Sequence, residues 1–500
     1  MDFLQILDLP VEPGGLVEWT PVLGGAAALR ADPRLTSYNH EQHLSDALAY
    51  QRQTGHTGGR ESWLGVSIDF DEPLSIPAIR AALTAWIDRH EVLRSHVILD
   101  ADGGGFRRLS VAPGAVSLKM SRIGWYHESS VLIDQIAGWF DRSTAPVRWP
   151  AYRFATVGRE HSFTLLFAGD HSLLDGYSLI AAVPELRALY RSAVTARGRT
   201  ARDSAAPPLL PDEAVGSYVD YSTAERTSAD AADRSHPAVD EWAAFLAEGM
   251  PRYPTLPAAA PDPATPERPE HAHGFAVGGY EEGSSAAADA LPQQSYYALL
   301  ADDQTTGEFT AVCSAAGTTL FAGVMAALAY ASYERTGSTR FRAVLPRHTR
   351  HELQWQSSLG WFVSLSPFDL DLTEVGTFPQ LAVRASAELR RGRVAASLPL
   401  LRVAQILGTT DTPQFVVSFL DTRTAPGAAA EDAGGARVVR SHRYADDEVY
   451  LWINRTPGGL RLSARFPAEL ADDVRGYADA VAALITDVAE HSSWHARGLV

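Results

Sequence analysis

The sequence predicts a mixed α/β fold arranged as two lobes of similar size. Three observations carry that expectation. At 500 residues the chain exceeds the roughly 250–300 residues beyond which single cores split into domains. Short apolar runs with the character of buried strands alternate with segments whose apolar residues recur at the helical period. A stretch rich in Ala, Pro and Asp, residues 200–213, reads as a crossing between the lobes. The expected division is 1–205 and 206–500.

Taken in order, residues 63–70 read as a strand. Ser75 is placed as the N-cap of an amphipathic helix with Pro77 in its first turn. Ile79, Leu83, Trp86, Ile87 and Leu93 share one face, and the helix ends in Arg89-His90-Glu91-Val92-Leu93-Arg94. Val97-Ile98-Leu99 begins the next strand. Residues 163–168 form a buried strand that runs directly into Gly169-Asp170-His171. A helix follows Gly176, with Ser178 as its cap and Ile180, Val183, Leu186 and Leu189 on one face. His171 and Asp175 therefore stand in a turn leaving a strand.

Beyond the crossing, strands at 342–345, 361–365, 415–419 and 449–453 again alternate with helices. Residues 251–270 contain seven prolines and are extended or loose, because proline removes a ladder donor and breaks helices. Residues 425–436 form an Ala/Gly-rich loop. Residues 311–331 carry no charge and approach the ~20 apolar residues of a membrane span. Ser314, Gly317, Thr318, Thr319 and Gly323 interrupt them, so a buried core helix starting near Thr318 is expected and no transmembrane segment is.

Composition narrows the function classes. The chain is 46% hydrophobic and 21% charged, with a formal net charge of −17. Such a chain lacks the basic face that nucleic-acid binding requires, although a local basic patch for a phosphate-bearing donor remains compatible. Lys119 is the sole lysine, a compositional bias rather than a functional signal. Cys313 is the sole cysteine, which excludes an intramolecular disulfide, a thiolate cage and a CxxC pair. Met1-Asp2-Phe3-Leu4-Gln5 lacks the basic and apolar regions of a signal peptide. A cytoplasmic monomer is expected.

The familiar nucleophile and metal motifs are missing. Gly65-Val66-Ser67 begins a GxSxG elbow, but Asp69 ends it. His40-Glu41-Gln42-His43 superficially resembles a zincin helix, yet its histidines are three apart and no downstream ligand follows. His271 and His273 sit in the proline-rich stretch. No Walker loop or GxGxxG follows a predicted strand, so neither metal nor nucleotide cofactor is expected. What remains is His171-x-x-x-Asp175-Gly176. Histidine supplies a base near neutral pKa for taking the proton of an attacking hydroxyl or amine. With a thioester donor already activated, no enzyme nucleophile is needed. A carboxylate four residues on can lock the turn through a distant arginine, and glycine permits a bend where a Cβ would clash.

The chain resembles the condensation domains of nonribosomal peptide synthetases and, more closely, the free-standing polyketide-associated acyltransferases of actinobacteria. Both carry HxxxDG at a strand-to-helix junction. Arg89-His90-Glu91-Val92-Leu93-Arg94 is similar to their early R-H-E-x-L-R helix end. Ser37-Tyr38-Asn39-His40-Glu41-Gln42-His43-Leu44, after Leu16-Val17-Glu18-Trp19, resembles the N-terminal segment of the acyltransferase branch. Leu359-Gly360-Trp361-Phe362-Val363-Ser364 resembles the GxFxN strand motif. Thr318-Thr319-Leu320-Phe321-Ala322 sits where the family begins a buried helix of its second lobe. Order and spacing agree over nearly the whole chain.

The resemblance implies a two-lobed, V-shaped fold of chloramphenicol-acetyltransferase type, with His171 as general base in a tunnel at the lobe junction. It implies that Asp175 pairs with an arginine of the second lobe, Arg350 by position, with Arg347 as the second choice. Asp170, Trp361, Ser364 and Ser418 are candidate tunnel residues, and the two serines are also candidate oxyanion donors beside main-chain amides near Gly176. Many condensation domains have a histidine where this chain has Asp170; the polyketide-associated acyltransferases do without it. That difference, with Trp-Phe-Val-Ser replacing Phe-x-Asn, favours ester over amide formation. The expected partners are an acyl thioester, on coenzyme A or a carrier protein, and a small-molecule hydroxyl of a natural product or lipid. A free-standing amide-forming condensation enzyme and a non-catalytic carrier-docking module are the alternatives.

Overall fold

The computed structural model describes residues 2–24, 27–55, 63–100, 105–198, 215–256, 293–410, 412–425, 428–429, 435–442 and 448–491. Residues 200–213, 257–270, His271, His273 and most of 425–436 lie outside them. In chain order the strands are β1 (Asp2–Gln5), β2 (Gly15–Leu23), β3 (Arg30–Asp32), β4 (Trp63–Phe70), β5 (Ser95–Leu99), β6 (Phe106–Ser110), β7 (Val116–Trp125), β8 (Tyr152–Gly158), β9 (Phe163–Asp170), β10 (Gln293–Ala301), β11 (Arg340–His348), β12 (Val363–Asp371), β13 (Phe415–Asp421), β14 (Arg437–Arg440), β15 (Val449–Thr456) and β16 (Gly459–Pro467). The helices are α1 (Tyr38–Thr54), α2 (Ile76–Arg89), α3 (Ser129–Ser143), α4 (Gly176–Gly198), α5 (Tyr218–Asp230), α6 (Pro237–Leu246), α7 (Asp303–Ala315), α8 (Leu320–Thr336), α9 (Leu353–Gln356), α10 (Phe378–Ala395), α11 (Leu400–Leu407) and α12 (Ala471–His491).

These elements form two compact units. The first comprises Met1–Ala231 with His348–Val363 and Thr422–Tyr444; the second comprises the remainder. The division therefore departs from a cut at 205/206. Ser222, on α5, is fully buried and its Oγ bonds the Leu35 carbonyl and the Arg108 guanidinium, which ties 218–230 to the first unit. β14, contributed from late in the chain, completes the first unit's sheet by pairing with β1 and β4.

In the first unit a seven-stranded sheet has the order β1-β14-β4-β9-β8-β2-β7, beside a small sheet β3-β6-β5. β9 is buried along its whole length, which is why 163–168 shows no alternation of apolar and polar residues. It runs through Asp170, opposite Trp63 of β4. α2 starts after Ser75 with proline in its first turn and buries Ile79, Leu83, Trp86 and Ile87. It stops at Arg89, and Leu93 lies in a separate 3-10 turn, Glu91–Arg94. His90 Nε2, 2.7 Å from Glu185 Oε2, and Trp86 Nε1, 2.8 Å from the same oxygen, lock α2 to α4. The R-H-E helix end thus carries structure.

The second unit is a six-stranded sheet, β10-β16-β15-β13-β11-β12, under α7, α8, α10 and α12. α8 is capped by Thr319, whose hydroxyl accepts from Ala322 N, and closes at Gly337 with φ 72°. Ala322 through Ser332 are all buried, so the part of the uncharged stretch that follows Thr319 is a core helix, while 311–315 end α7. Among the described residues no single helix is long and apolar enough to cross a membrane; α7 and α8 pass that test together but meet at a 98° bend. The strand expected at 361–365 starts only at Val363, and Trp361 and Phe362 precede it.

Gly323 lets α8 approach α7. A Cβ there would stand 2.3 Å from Cys313 Sγ and 3.1 Å from the Phe309 ring. Overpacking of this kind costs about 1–3 kcal/mol. Gly323→Ala should lower stability by that amount in chemical denaturation, and adding Cys313→Ala should recover part of it. Equal losses with and without Cys313 would contradict the contact.

Candidate active site

The first unit brings four pieces of sequence together: the turn after β9, the N-terminus of α4, the first turns of α1, and segment 358–363. β9 ends at Asp170, and His171–Leu173 make a 3-10 turn capped by the Asp170 side chain, which accepts from Ser172 N at 2.9 Å. α4 then begins at Gly176. Its cap is Asp175, whose Oδ1 accepts from Ser178 N at 2.8 Å; Ser178 is inside the first turn and is not the cap. Gly176 has no positive φ, and a Cβ there would meet only Phe3 at 3.6 Å, an ordinary contact. The turn does not require glycine on steric grounds.

Asp175 is 3% exposed and Arg350 is 5% exposed, so their charges need full pairing. Arg350 Nη1 donates to Asp175 Oδ2 at 3.0 Å and Nη2 donates to Oδ1 at 3.1 Å. Oδ2 also accepts from Phe362 N at 3.0 Å. Arg350 Nη2 reaches Ser178 Oγ at 2.7 Å and the Ser358 carbonyl at 3.1 Å, and the guanidinium lies 4.1 Å over the Phe362 ring. Ser178 Oγ in turn donates to the Gly360 carbonyl at 2.9 Å and accepts from Gly360 N at 3.2 Å. Arg350 is thus the arginine that meets Asp175, but its segment belongs to the first unit rather than to the second lobe. Arg347 goes elsewhere: it donates to Ser366 Oγ at 2.8 Å and to the Leu389 carbonyl at 2.6 Å within the second unit.

The clamp fixes Trp361. Gly360 is required, because a Cβ would fall 2.4 Å from the Tyr218 ring. Tyr218 Oη donates to the Trp361 carbonyl at 3.3 Å, and Asn39 Nδ2 on α1 donates to the Val363 carbonyl at 2.9 Å. So held, the Trp361 ring lies 4.3 Å from the His171 ring, tilted by 38°.

His171 is partly buried, and its Nδ1 is enclosed without a partner among the described residues. Burial, and then the neighbouring His43, push its pKa below the ordinary value, outweighing its own main chain, Asp170 and Asp175. His43, which ends the zincin-like tetrapeptide, joins the site. On α1 its Nε2 stands 3.0 Å from the Asp170 carboxylate, and its ring meets Trp361 edge-on at 5.7 Å. Burial opposes ionisation of Asp170, but the charge and hydrogen bond of His43 and the bonds from Ser172 hold its pKa below the ordinary value. His40, one turn earlier, is buried and pushed down to about 3 by burial and by Arg108, so it stays neutral. The signal for His43 was its three-residue offset from His40, which puts both on one helix face. Ser364 lies on β12 with its Oγ buried and unpartnered among the described residues. Ser418 lies on β13 opposite Trp452. Both belong to the second unit.

Removing either member of the Asp175–Arg350 pair strands a buried charge, at a cost of about 3–5 kcal/mol. Asp175→Ala and Arg350→Ala should each lower the melting temperature sharply, and the double variant should lose much less than the sum. Arg350→Lys should not rescue, since a point charge cannot span both oxygens. Additive losses would contradict direct pairing.

Three comparisons with known proteins bear on this geometry. A family model described as Condensation domain matches residues 50–420. Acyltransferase PapA3 of Mycobacterium tuberculosis is 24% identical over 474 residues, covering 92% of each chain. The 2'-acyl-2-O-sulfo-trehalose (hydroxy)phthioceranyltransferase PapA1 of the same organism is 24% identical over 433 residues, covering 86% of this chain and 76% of its own. Among solved structures, a PapA2 acyl transferase matches with a TM-score of 0.80 at 19% identity, over 98% of this chain and 100% of that one. The fold is accordingly the chloramphenicol-acetyltransferase-like fold of condensation domains. The chain belongs to the condensation-domain family, and it is an acyltransferase similar to the mycobacterial PapA enzymes.

Proposed function

We propose that this acyltransferase moves an acyl group from a thioester, on coenzyme A or a carrier protein, to a hydroxyl of a carbohydrate or lipid acceptor, with His171 as general base. The observation that carries the proposal is the state of the His171 ring. It is depressed in pKa, and so neutral near pH 7; it is in ring contact with Trp361; and it is seated in a turn fixed at both ends by the capping carboxylates Asp170 and Asp175. Enclosure of Nδ1 leaves Nε2 to take the proton. The acceptor class is supported by PapA1, whose name describes acyl transfer to a sulfated trehalose, and by the replacement of a histidine by Asp170.

In the proposed step the acceptor oxygen attacks the thioester carbonyl as Nε2 removes its proton. The tetrahedral intermediate collapses with loss of the thiolate, and the imidazolium returns the proton to sulfur. The products are an ester and a free thiol, and no covalent bond to the protein forms. Neither carboxylate takes part in proton transfer. Asp175 is saturated by four hydrogen bonds.

His171→Ala should lower kcat by about 10²–10⁴-fold with an unchanged melting temperature; wild-type turnover would remove the base. Because the pKa of His171 is lowered from 6.5, the neutral base persists into mild acid. The acid limb of kcat/KM against pH should therefore fall below the ordinary histidine midpoint of about 6.5. A limb at or above that value would contradict the assignment. Offered a matched pair of acceptors differing only in hydroxyl or amine, the enzyme should form the ester first. Preferential amide formation would make it a free-standing condensation enzyme instead.

A further inference from the structure

We propose that His43 is a positioning residue for the reaction, holding the two groups that fix the His171 imidazole: the Asp170 cap beneath it and the Trp361 ring against it. The inference rests on His171 being the base, and goes beyond it by assigning a role to a residue outside the HxxxDG motif. Three contacts support it. His43 Nε2 lies 3.0 Å from the Asp170 carboxylate. Asp170 is 2% exposed and ionised, and a carboxylate can only accept, so Nε2 carries the hydrogen. The same carboxylate accepts from Ser172 N and thereby sets the main chain of the 3-10 turn that begins with His171. The His43 and Trp361 rings make a T-shaped contact, and the Trp361 ring lies against the His171 ring. One side chain on α1 therefore touches both supports of the base. Misplacement of a reacting group by about 1 Å can cost 10²-fold.

His43 also acts on His171 electrostatically. Among the described residues, the charged groups that act on the His171 ring are His43 from α1, Asp170 from β9 and Asp175 from the turn, and of these His43 opposes protonation while the two carboxylates favour it. His43 in turn faces Asp170, with His40 on its own helix. Removing the imidazole of His43 therefore takes away a group that opposes protonation of His171, and its proton affinity rises. The sign is definite: the His171 midpoint moves up, and the acid limb of the rate profile moves with it.

The test uses the full chain labelled with ¹³C-histidine, the His171 resonance being assigned by its loss in His171→Ala. His43→Gln keeps an N–H donor for Asp170 and removes the titrating ring. His43→Ala removes both. We expect the His171 midpoint to rise in both variants. We expect kcat to fall about 10²-fold in His43→Ala and only a few-fold in His43→Gln, with KM for the thioester little changed. If His43→Ala does not fold, the midpoint in His43→Gln carries the test. An unchanged His171 midpoint, or wild-type kcat in His43→Ala, overturns the proposal. A midpoint that moves in the resonance but not in the rate profile would leave the His43 contact standing and sink His171 as the base.

Discussion

Asp175 and Arg350 make the interaction on which the site depends. A buried ion pair is weak as a source of stability, because desolvation of both charges offsets their attraction. Its use here is geometric. The Asp175 carboxylate caps α4, receives both arms of the guanidinium and accepts from the Phe362 amide, so that no lone pair is left to bond in another way. Arg350 carries the restraint on to Ser178 and Ser358, and Ser178 carries it to both polar atoms of the Gly360 main chain. Each link is directional and buried, where hydrogen bonds are strongest and unpaired groups most costly. The outcome is a loop whose next residue, Trp361, cannot drift from the His171 ring.

A second carboxylate at the other end of the same turn completes the arrangement. Asp170 stands where many condensation domains have a histidine, and the substitution exchanges a titrating ring for a fixed anion. The anion caps the turn through Ser172 and is matched by His43. His171 is thus bracketed by two carboxylates that are each committed to hydrogen bonds, while burial and His43 keep its own ring neutral. A hydroxyl acceptor needs its proton drawn off as the bond forms, and a neutral, oriented imidazole answers that need.

Much of this was legible because it is local. The passage from β9 through the turn into α4 follows from an apolar run, the hexapeptide His171 to Gly176 and a helical repeat at Ile180, Val183, Leu186 and Leu189, all four of which are buried. α8 was legible from its lack of charge and its Thr-Thr start. Arg350 was reached by resemblance alone, since nothing in the 174 positions between it and Asp175 links them. What stayed hidden was set by distance along the chain or by competition for a role. Ser178 has the chemistry of a cap, but Asp175 lies three residues earlier and takes that role, which frees the serine hydroxyl for Gly360, 182 residues away. His43 meets Asp170 across 127 residues. Gly176 invited a steric explanation that its open surroundings do not support. The return of 348–363 and 422–444 to the first unit is a matter of tertiary contacts that periodicity cannot express.

A single oriented base, as proposed for His171, requires the acyl group to pass directly from donor to acceptor. The most direct measurement is the intact mass of the protein after incubation with an acyl thioester in the absence of acceptor, followed by addition of a hydroxyl acceptor. Direct transfer predicts an unmodified protein mass throughout, with free thiol and ester appearing together only once the acceptor is added. A protein mass increased by one acyl group, formed before the acceptor and discharged by it, would contradict the account and place a nucleophile on the enzyme.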